Sequence, residues 1–188
     1  MLRKEEKMYH IKNDKRAYKS AILISESLAD MLKEKKYDEI SITDVCVARG
    51  GARTTFYRLF DTLDDVLIYQ FDTLFEESIK QFTSVTNMGK SFARFMVEIA
   101  MNNRALVTAI VESGRSDLFD FSTRAKEPVI IQSMKIVVDD KDRLYCTPML
   151  TQLAYAVFRT WISTGCRETP DELYGIMKQE LKLIYENM

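Results

Sequence analysis

The chain has 188 residues, of which 46% are hydrophobic and 29% are charged, with 27 Lys and Arg against 28 Asp and Glu. This balance excludes a wholly disordered chain, and the length suits one or two domains, each with its own core. Three widely separated cysteines predict free, buried thiols and a reducing compartment. The charged N-terminus holds no apolar segment and no run approaches the ~18 apolar residues of a membrane span, so we expect a cytoplasmic protein with no membrane partner.

Charge is distributed unevenly along the chain. Residues 1–60 contain 13 Lys and Arg but 9 Asp and Glu, whereas residues 61–188 contain 14 and 19. A basic first third is expected where that segment meets a polyanion, although an excess of this size also arises by chance.

The scarcity of helix breakers predicts an all-α fold, because only 6 Gly and 3 Pro interrupt apolar residues that recur every three or four positions. We place the domain boundary between residues 62 and 63, with a long helix opening the second domain. The β-branched residues at 129–138 would also suit a strand. Helix is favoured there, because Pro128 fits a first helical turn.

Helix boundaries in the first third follow from caps and glycines. A first helix is predicted over about residues 15–35. Ser41-Ile42-Thr43-Asp44 matches a capping box and begins a short helix, which Gly50-Gly51 must end because paired glycines disfavour helix and adopt positive φ. A second short helix occupies residues 52–60, and the cap at residues 61–65 begins a long amphipathic helix.

The second short helix has two distinct faces on a helical wheel. Its buried face holds Ala52, Phe56, Leu59 and Phe60. Its outward face holds Arg53, Thr54, Tyr57 and Arg58, with Thr55 at the border, and no carboxylate occurs from Gly50 to Phe60. Two short helices joined by a glycine turn behind a longer helix form a helix-turn-helix, whose second helix enters the DNA major groove. Arg can bond guanine, a Thr methyl can contact thymine, and hydroxyls can hold phosphates. The alternative is an ordinary amphipathic helix with a basic polar side.

Residues 17–70 resemble the TetR-type (TetR/AcrR) family of bacterial transcriptional regulators. The resemblance is carried by Tyr37, Ile40, Ser41 to Val45, Gly50, Thr55-Phe56-Tyr57, Phe60 and Asp64 to Leu67. It implies a homodimer with an N-terminal DNA-reading domain and a C-terminal domain that dimerises and binds an effector. It also implies that Ser41 caps and contacts phosphate, that Arg53 and Thr54 read bases, and that Thr55 and Tyr57 contact the DNA backbone. We add Thr43 and Arg58 to this DNA-binding set.

Four positions depart from the family pattern. Arg49 stands where the family prefers Ala, and Gly51 where it prefers a small branched apolar residue. Ala52 replaces a Ser or another cap, which leaves Gly51 as a weak, mobile cap. Leu63 replaces a Lys, so one phosphate contact is missing and a modest salt sensitivity is expected.

The C-terminal domain carries the expected effector and dimer surfaces. We assign to an effector pocket the bulky residues Phe92, Phe95, Met96, Ile99, Phe119 and Tyr155. Two long helices are predicted, at residues 148–165 and at 170–185, the latter opening with the cap Thr169-Pro170-Asp171-Glu172. To the dimer interface we assign Leu150, Leu153, Val157, Trp161, Leu173, Ile176 and Leu181. For each residue, ordinary core is the alternative.

These observations predict a ligand-responsive, dimeric DNA-binding regulator, a repressor that a small apolar or aromatic effector releases from a palindromic operator. The alternative is a helical adaptor or co-regulator whose effector is a protein, with the helix-turn-helix as scaffold. An enzyme is disfavoured, since the only histidine, His10, lies in the charged N-terminal segment and is interpreted as a solvated tail residue. No catalytic residue, metal site or cofactor is expected.

Overall fold

The computed structural model describes residues 9–11, 14–82, 91–124, 126–134 and 139–186. Within these ranges the chain is all-α, as predicted, with ten α-helices, a 3₁₀ turn at Tyr37–Glu39 and no strand. The helices are α1 (Lys15–Met31), α2 (Ile42–Ala48), α3 (Arg53–Leu59), α4 (Leu63–Phe82), α5 (Phe92–Asn102), α6 (Arg104–Glu112), α7 (Asp117–Arg124), α8 (Glu127–Met134), α9 (Asp140–Ser163) and α10 (Pro170–Glu186). None of these helices is long and apolar enough to cross a membrane.

The chain divides into two compact units, residues 1–73 and 74–188. In the first unit, α1 packs on α2 and α3, and α2 packs on α3. The division lies within α4, beyond the predicted boundary at its start. The reason is that Val66, Leu67 and Ile68 are completely buried and Tyr69 packs its ring on Phe60. The first turns of α4 therefore complete the core of the first unit.

Side-chain caps set the helix starts that the sequence motifs predicted. Ser41 caps α2. The carboxylate of Asp65 accepts hydrogen bonds from the backbone N–H groups of Asp61 and Thr62, each at 2.8 Å, before α4. Thr169 and Glu172 form the same reciprocal pair at the start of α10, where the Thr169 N–H donates to the Glu172 carboxylate at 2.8 Å. Each box satisfies N–H groups that have no partner inside the helix.

Some predicted boundaries are wrong. The first helix ends at Met31 rather than near residue 35. The long helix predicted to begin at Pro148 begins at Asp140, because the Asp139 side chain caps it by accepting from the Asp142 N–H at 2.8 Å. Pro148 therefore lies inside α9, where it removes one backbone hydrogen bond. The stretch 127–134 is helical, which decides against strand there, and residues 135–138 lie outside the described residues.

In the second unit, α5 packs on α10, and α6 and α7 pack on α9. Arg94 of α5 donates from Nε to the Asp171 carboxylate at 2.6 Å, and the Tyr174 hydroxyl donates to Ser91 Oγ at 3.1 Å. Cys146 and Cys166 are half-buried rather than buried as predicted, whereas Cys46 is buried, and all three thiols are free. Side-chain caps at Asp139 and Thr169 begin α9 and α10, which are the last two helices of the described chain.

The glycine turn after α2 has the predicted positive φ at Gly50 but not at Gly51. Gly50 has φ of 65°, its N–H donates to the Val47 carbonyl at 3.1 Å, and the Gly51 N–H donates to the Cys46 carbonyl at 2.8 Å. This pair of bonds is the Schellman ending, in which a left-handed residue stops the helix. The sharp end of α2 thus depends on one residue without a Cβ.

We expect Gly50→Ala and Gly175→Ala to shift stability in opposite directions. A Cβ at either position meets no atom within 4 Å, so steric crowding is not the difference. Alanine at Gly50 must adopt a left-handed conformation and should lower the free energy of unfolding by about 1–2 kcal/mol. Alanine at Gly175, inside α10, should raise it by about 0.5–1 kcal/mol. Chemical denaturation measures the free energy of unfolding of both variants. A change in the same direction in both would contradict the prediction.

Candidate nucleic-acid interface

One side of α3 is locked into the core of the first unit. Phe56, Leu59 and Phe60 are at most 1% exposed. The Phe56 and Phe60 rings lie 5.8 Å apart between centroids, and Phe60 lies 5.7 Å from the ring of Tyr69 on α4. Because large side chains in a packed core occupy single positions, these contacts fix the rotation of α3 about its own axis. The opposite face of the helix is therefore equally fixed.

The other side of α3 faces solvent. Arg53, Thr54 and Arg58 are exposed, the Tyr57 residue is 47% exposed, and Thr55 is half-buried. This pattern agrees with the helical wheel, except at Ala52, which was placed on the buried face and is exposed. Ala52 precedes the helix as its N-cap, with extended backbone at φ −88° and ψ 141°, so helical periodicity does not apply to it. The cap of α3 is thus Ala52, not Gly51 as expected.

The charges on this surface are uncompensated. Neither Arg53 nor Arg58 has an ion-pair partner within the described part of the chain, and α3 itself contains no carboxylate. Arg49, in the preceding turn, differs: its two terminal nitrogens lie 2.9 Å from carboxylate oxygens of Glu26 and Asp30. Hydrogen bonds from Lys33 and then Arg49 hold the pKa of Asp30 below its ordinary value. The exposed guanidinium groups of α3 remain available to an anion.

The N-terminal end of α2 presents two hydroxyls. The Ser41 hydroxyl donates to the Asp44 carboxylate at 2.6 Å and accepts from the Asp44 N–H at 3.2 Å, and the Ser41 N–H donates to the same carboxylate at 2.9 Å. These bonds from Ser41 hold the pKa of Asp44 below its ordinary value. Because the Ser41 proton is engaged in this box, a phosphate would compete with Asp44 for it. Thr43 is exposed, and no described residue bonds its hydroxyl.

His10 is exposed, as the sequence suggested, but the segment that carries it is not a free tail. Its backbone N–H donates to the carbonyl of Leu59 at 2.8 Å, and its Nε2 lies 3.0 Å from the Asp61 carboxylate. The neighbouring Tyr9 hydroxyl donates to Asp72 at 2.8 Å. Residues 9–11, here called the strap, thus hold the C-terminal end of α3 from outside. Their partners are distant in sequence, so no local spacing signalled the contact.

Five of the six residues assigned to an effector pocket fall into two groups. On α5, Phe92 and Phe95 are buried, their rings lie 5.0 and 5.3 Å from the Phe82 ring, and half-buried Met96 packs on the same cluster. On α7 and α9, the rings of Phe119 and Tyr155 meet edge to face at 5.5 Å. Ile99 is half-buried, and nothing places it in either group. The structure thus divides the predicted pocket residues between two aromatic clusters.

Polar groups near these clusters escaped the sequence reasoning. The Lys126 ammonium lies 5.7 Å from the Phe75 ring centroid and donates to the Ser122 carbonyl at 3.1 Å. Ser122 and Thr147 are buried, and their hydroxyls have no hydrogen-bond partner in the described chain. Thr147 and Thr151 are four residues apart and therefore lie on the same side of α9. That spacing among apolar residues could have indicated buried hydroxyls from the sequence.

The residues assigned to the dimer interface differ in exposure. Trp161 and Leu173 are 4% and 5% exposed within the single chain, so they belong to its own core and offer a partner little surface. Leu150, Leu153 and Val157 are half-buried. Of the seven, only Ile176 and Leu181 are well exposed. The structure also exposes apolar side chains that the sequence did not indicate, namely Leu183 on α10 and Leu144, Tyr145 and Met149 on α9.

No protein-family model matches the chain, and no curated protein matches it. Within the described ranges, no group of three His, Cys, Asp or Glu side chains could hold a metal ion.

We expect Ser41→Ala to lower the free energy of unfolding by about 1 kcal/mol at neutral pH, because it removes the cap of α2. Thr43→Ala, two residues further on and with no side-chain hydrogen bond to lose, should change the free energy of unfolding by less than about 0.5 kcal/mol. Denaturant unfolding of both variants measures the difference.

The capping box should also respond to pH. Since the folded pKa of Asp44 lies below its ordinary 3.8, its ionised form contributes stability above that value, and this contribution is lost as pH falls through the folded pKa. The stability gap between the native chain and Asp44→Asn should therefore narrow between neutral pH and pH values below the folded pKa. A gap independent of pH would show that the carboxylate is not engaged.

Proposed function

We propose that the chain is a dimeric, ligand-responsive transcriptional regulator of TetR type, which reads duplex DNA with α3. The observation that carries the proposal is the outward face of α3, where Arg53, Tyr57 and Arg58 project from a helix whose other side is fully buried. A helix whose buried side sets its orientation, with unpaired guanidinium groups and no carboxylate on the outward side, has the shape and charge that the major groove accepts. As a DNA-binding regulator, it would act in the cytoplasm.

Each exposed side chain has a distinct role in this proposal. Arg53 and Thr54 stand in the first turn of α3, the part of a recognition helix that contacts base edges in such motifs. Arg58 and Tyr57 lie further along the helix and would bond phosphates, as would Thr43 at the start of α2. Thr55 is half-buried, so its hydroxyl would contact the DNA backbone only at the edge of the interface.

A dimer follows from the geometry of the target. Two recognition helices about 34 Å apart read the two halves of a palindrome. Ile176, Leu181 and Leu183 are exposed apolar side chains on α10, and Ile176 and Leu183, seven residues apart, lie on the same face of that helix. These side chains support an interface through α10. Trp161 and Leu173 would then stabilise the interface from behind, within each subunit's own core.

The effector would bind in the second unit and act through α4, which continues from that unit into the first. The aromatic clusters on α5 and on α7 and α9 support a small apolar or aromatic effector. An effector that prefers one conformer shifts the population toward it and, where that conformer separates the two α3 helices wrongly, releases the operator. Repression relieved by ligand is the regulatory mode we propose.

The direct test selects duplexes from a random library and measures binding by fluorescence anisotropy across a salt series. Arg53→Ala should cost about 1–3 kcal/mol at one base pair and relax selection there, because a base contact is lost. Arg58→Ala should weaken all duplexes alike and reduce the slope of log affinity against log salt by about 1, because one phosphate contact is lost. Arg159→Ala, which removes an exposed charge from α9, is the matched control and should change neither.

The same experiment separates a protein-binding adaptor from a DNA reader. An adaptor that keeps the first unit as a scaffold would show no salt-dependent duplex binding, and Arg53→Ala would leave its properties unchanged. That result would contradict the proposal.

The dimer is tested separately by mass. We expect the double variant Ile176→Lys and Leu181→Lys to shift the chain from dimer to monomer in sedimentation equilibrium, because two like charges would face a symmetric apolar interface. Val47→Lys, at a side chain that is 71% exposed in the first unit, is the control and should leave the mass unchanged. An unaltered dimer in the double variant would place the interface elsewhere.

A further inference from the structure

The turn between α2 and α3 lacks an apolar contact that its geometry provides for. In a Schellman ending, the residue after the left-handed one commonly carries an apolar side chain that packs on the last turn of the helix. That residue is Gly51, and the positions it would contact are Val45 and Cys46. With no side chain at 51, the contact is not made.

Gly51 also precedes the N-cap of α3, so the start of α3 lacks two further anchors. An apolar residue just before the N-cap often packs on the fourth helical residue, which is Phe56 here. The N-cap, Ala52, makes no side-chain hydrogen bond to the helix. The first turn of α3, which carries Arg53 and Thr54, is therefore held by fewer contacts than an ordinary helix start.

A recess adjoins Gly51. It has a volume of about 70 Å³ and is lined by parts of α1, α2 and α3. Val45, Cys46 and Gly51 line it together with Leu23 of α1, which has 37% of its surface exposed. The other end of α3 is anchored by buried Leu59 and by the strap, through the His10 N–H. Anchoring is thus concentrated at the C-terminal end of the helix.

We infer that Gly51 is a positioning residue for DNA reading. Because position 51 has no side chain, the first turn of α3 is incompletely ordered in the free protein, and contact with DNA completes its ordering. The inference rests on the proposed function. Part of the interaction with DNA goes into ordering this turn, and apparent affinity falls by the fraction of molecules in which the turn is out of place. Stronger anchoring should tighten binding to every duplex without adding a phosphate contact.

Two substitutions strengthen the anchor by independent routes. Ala52→Ser supplies the missing cap without filling the recess. Leu23→Phe fills the recess from α1 without changing the turn. Gly51→Val restores the apolar contact directly, but its Cβ would come within 3.3 Å of the Cys46 carbonyl oxygen that accepts the Gly51 N–H, so the turn must shift by a few tenths of an ångström. Leu144→Phe makes the same exchange as Leu23→Phe at an exposed site in the second unit and is the control.

The readout is amide hydrogen exchange in the free full-length protein, paired with duplex affinity. The N–H groups of Thr55 and Phe56 both donate to the Ala52 carbonyl, at 2.9 and 3.2 Å, and report whether the first turn is formed. In the native chain they should exchange faster than the N–H of Phe60. Ala52→Ser and Leu23→Phe should each slow them by about five-fold, as one added cap would. Both should tighten duplex binding two- to five-fold with an unchanged salt slope.

Two results overturn the inference. One is equal protection of Thr55, Phe56 and Phe60 in the native chain. The other is slower exchange in both variants with no gain in duplex affinity. If the chain binds no duplex at any salt concentration, the proposed function is overturned, and the predicted gain in affinity with it. If it binds duplex normally but the amides of Thr55, Phe56 and Phe60 are equally protected, only the present inference is overturned.

Discussion

The burial of Phe56, Leu59 and Phe60 is the constraint on which the rest of the first unit depends. Full burial of each such side chain contributes about 1.5–3 kcal/mol, so the three together far outweigh any exposed ion pair in this unit. They also fix direction: once this side of α3 faces the core, the side carrying Arg53 and Arg58 has no alternative but solvent. The candidate interface is therefore a consequence of core packing, and its charges need no support of their own.

Local signals in the sequence carried most of the fold. Helix starts at Ser41 and Thr169 depend on hydrogen bonds that span three residues, and the end of α2 depends on the φ of Gly50, so a short motif contains the whole cause. The helical wheel also predicted which side chains of α3 are buried and which are exposed, because helical periodicity is a local property. Pro148 misled because a proline suits a first turn, whereas an existing long helix tolerates one inside it when a cap such as Asp139 has already begun the helix.

Contacts between distant residues could not be predicted in this way. The strap brings His10 to Leu59 and Asp61 across about fifty residues, and Arg49 reaches two carboxylates on α1; neither pairing has a local pattern. The burial of Trp161 could not be predicted either. An apolar stripe on α9 can pack on other helices of the same chain or on a second subunit, and the sequence does not distinguish the two. The candidate DNA-binding face lies on one helix and was accessible to sequence reasoning, whereas the residues predicted to bind an effector are spread over several helices.

The two ends of α3 show how the same helix can be fixed in orientation and still lack anchoring at its start. Rotation about the axis is set by the apolar side chains and by the strap at the C-terminal end. Order in the first turn depends on different contacts, namely a hydrogen bond from the N-cap side chain and an apolar residue at position 51, and Ala52 and Gly51 supply neither. Orientation and local order thus depend on separate residues. Under the proposed function, substitutions at 51 and 52 would therefore alter affinity for DNA and leave unchanged which side chains face solvent.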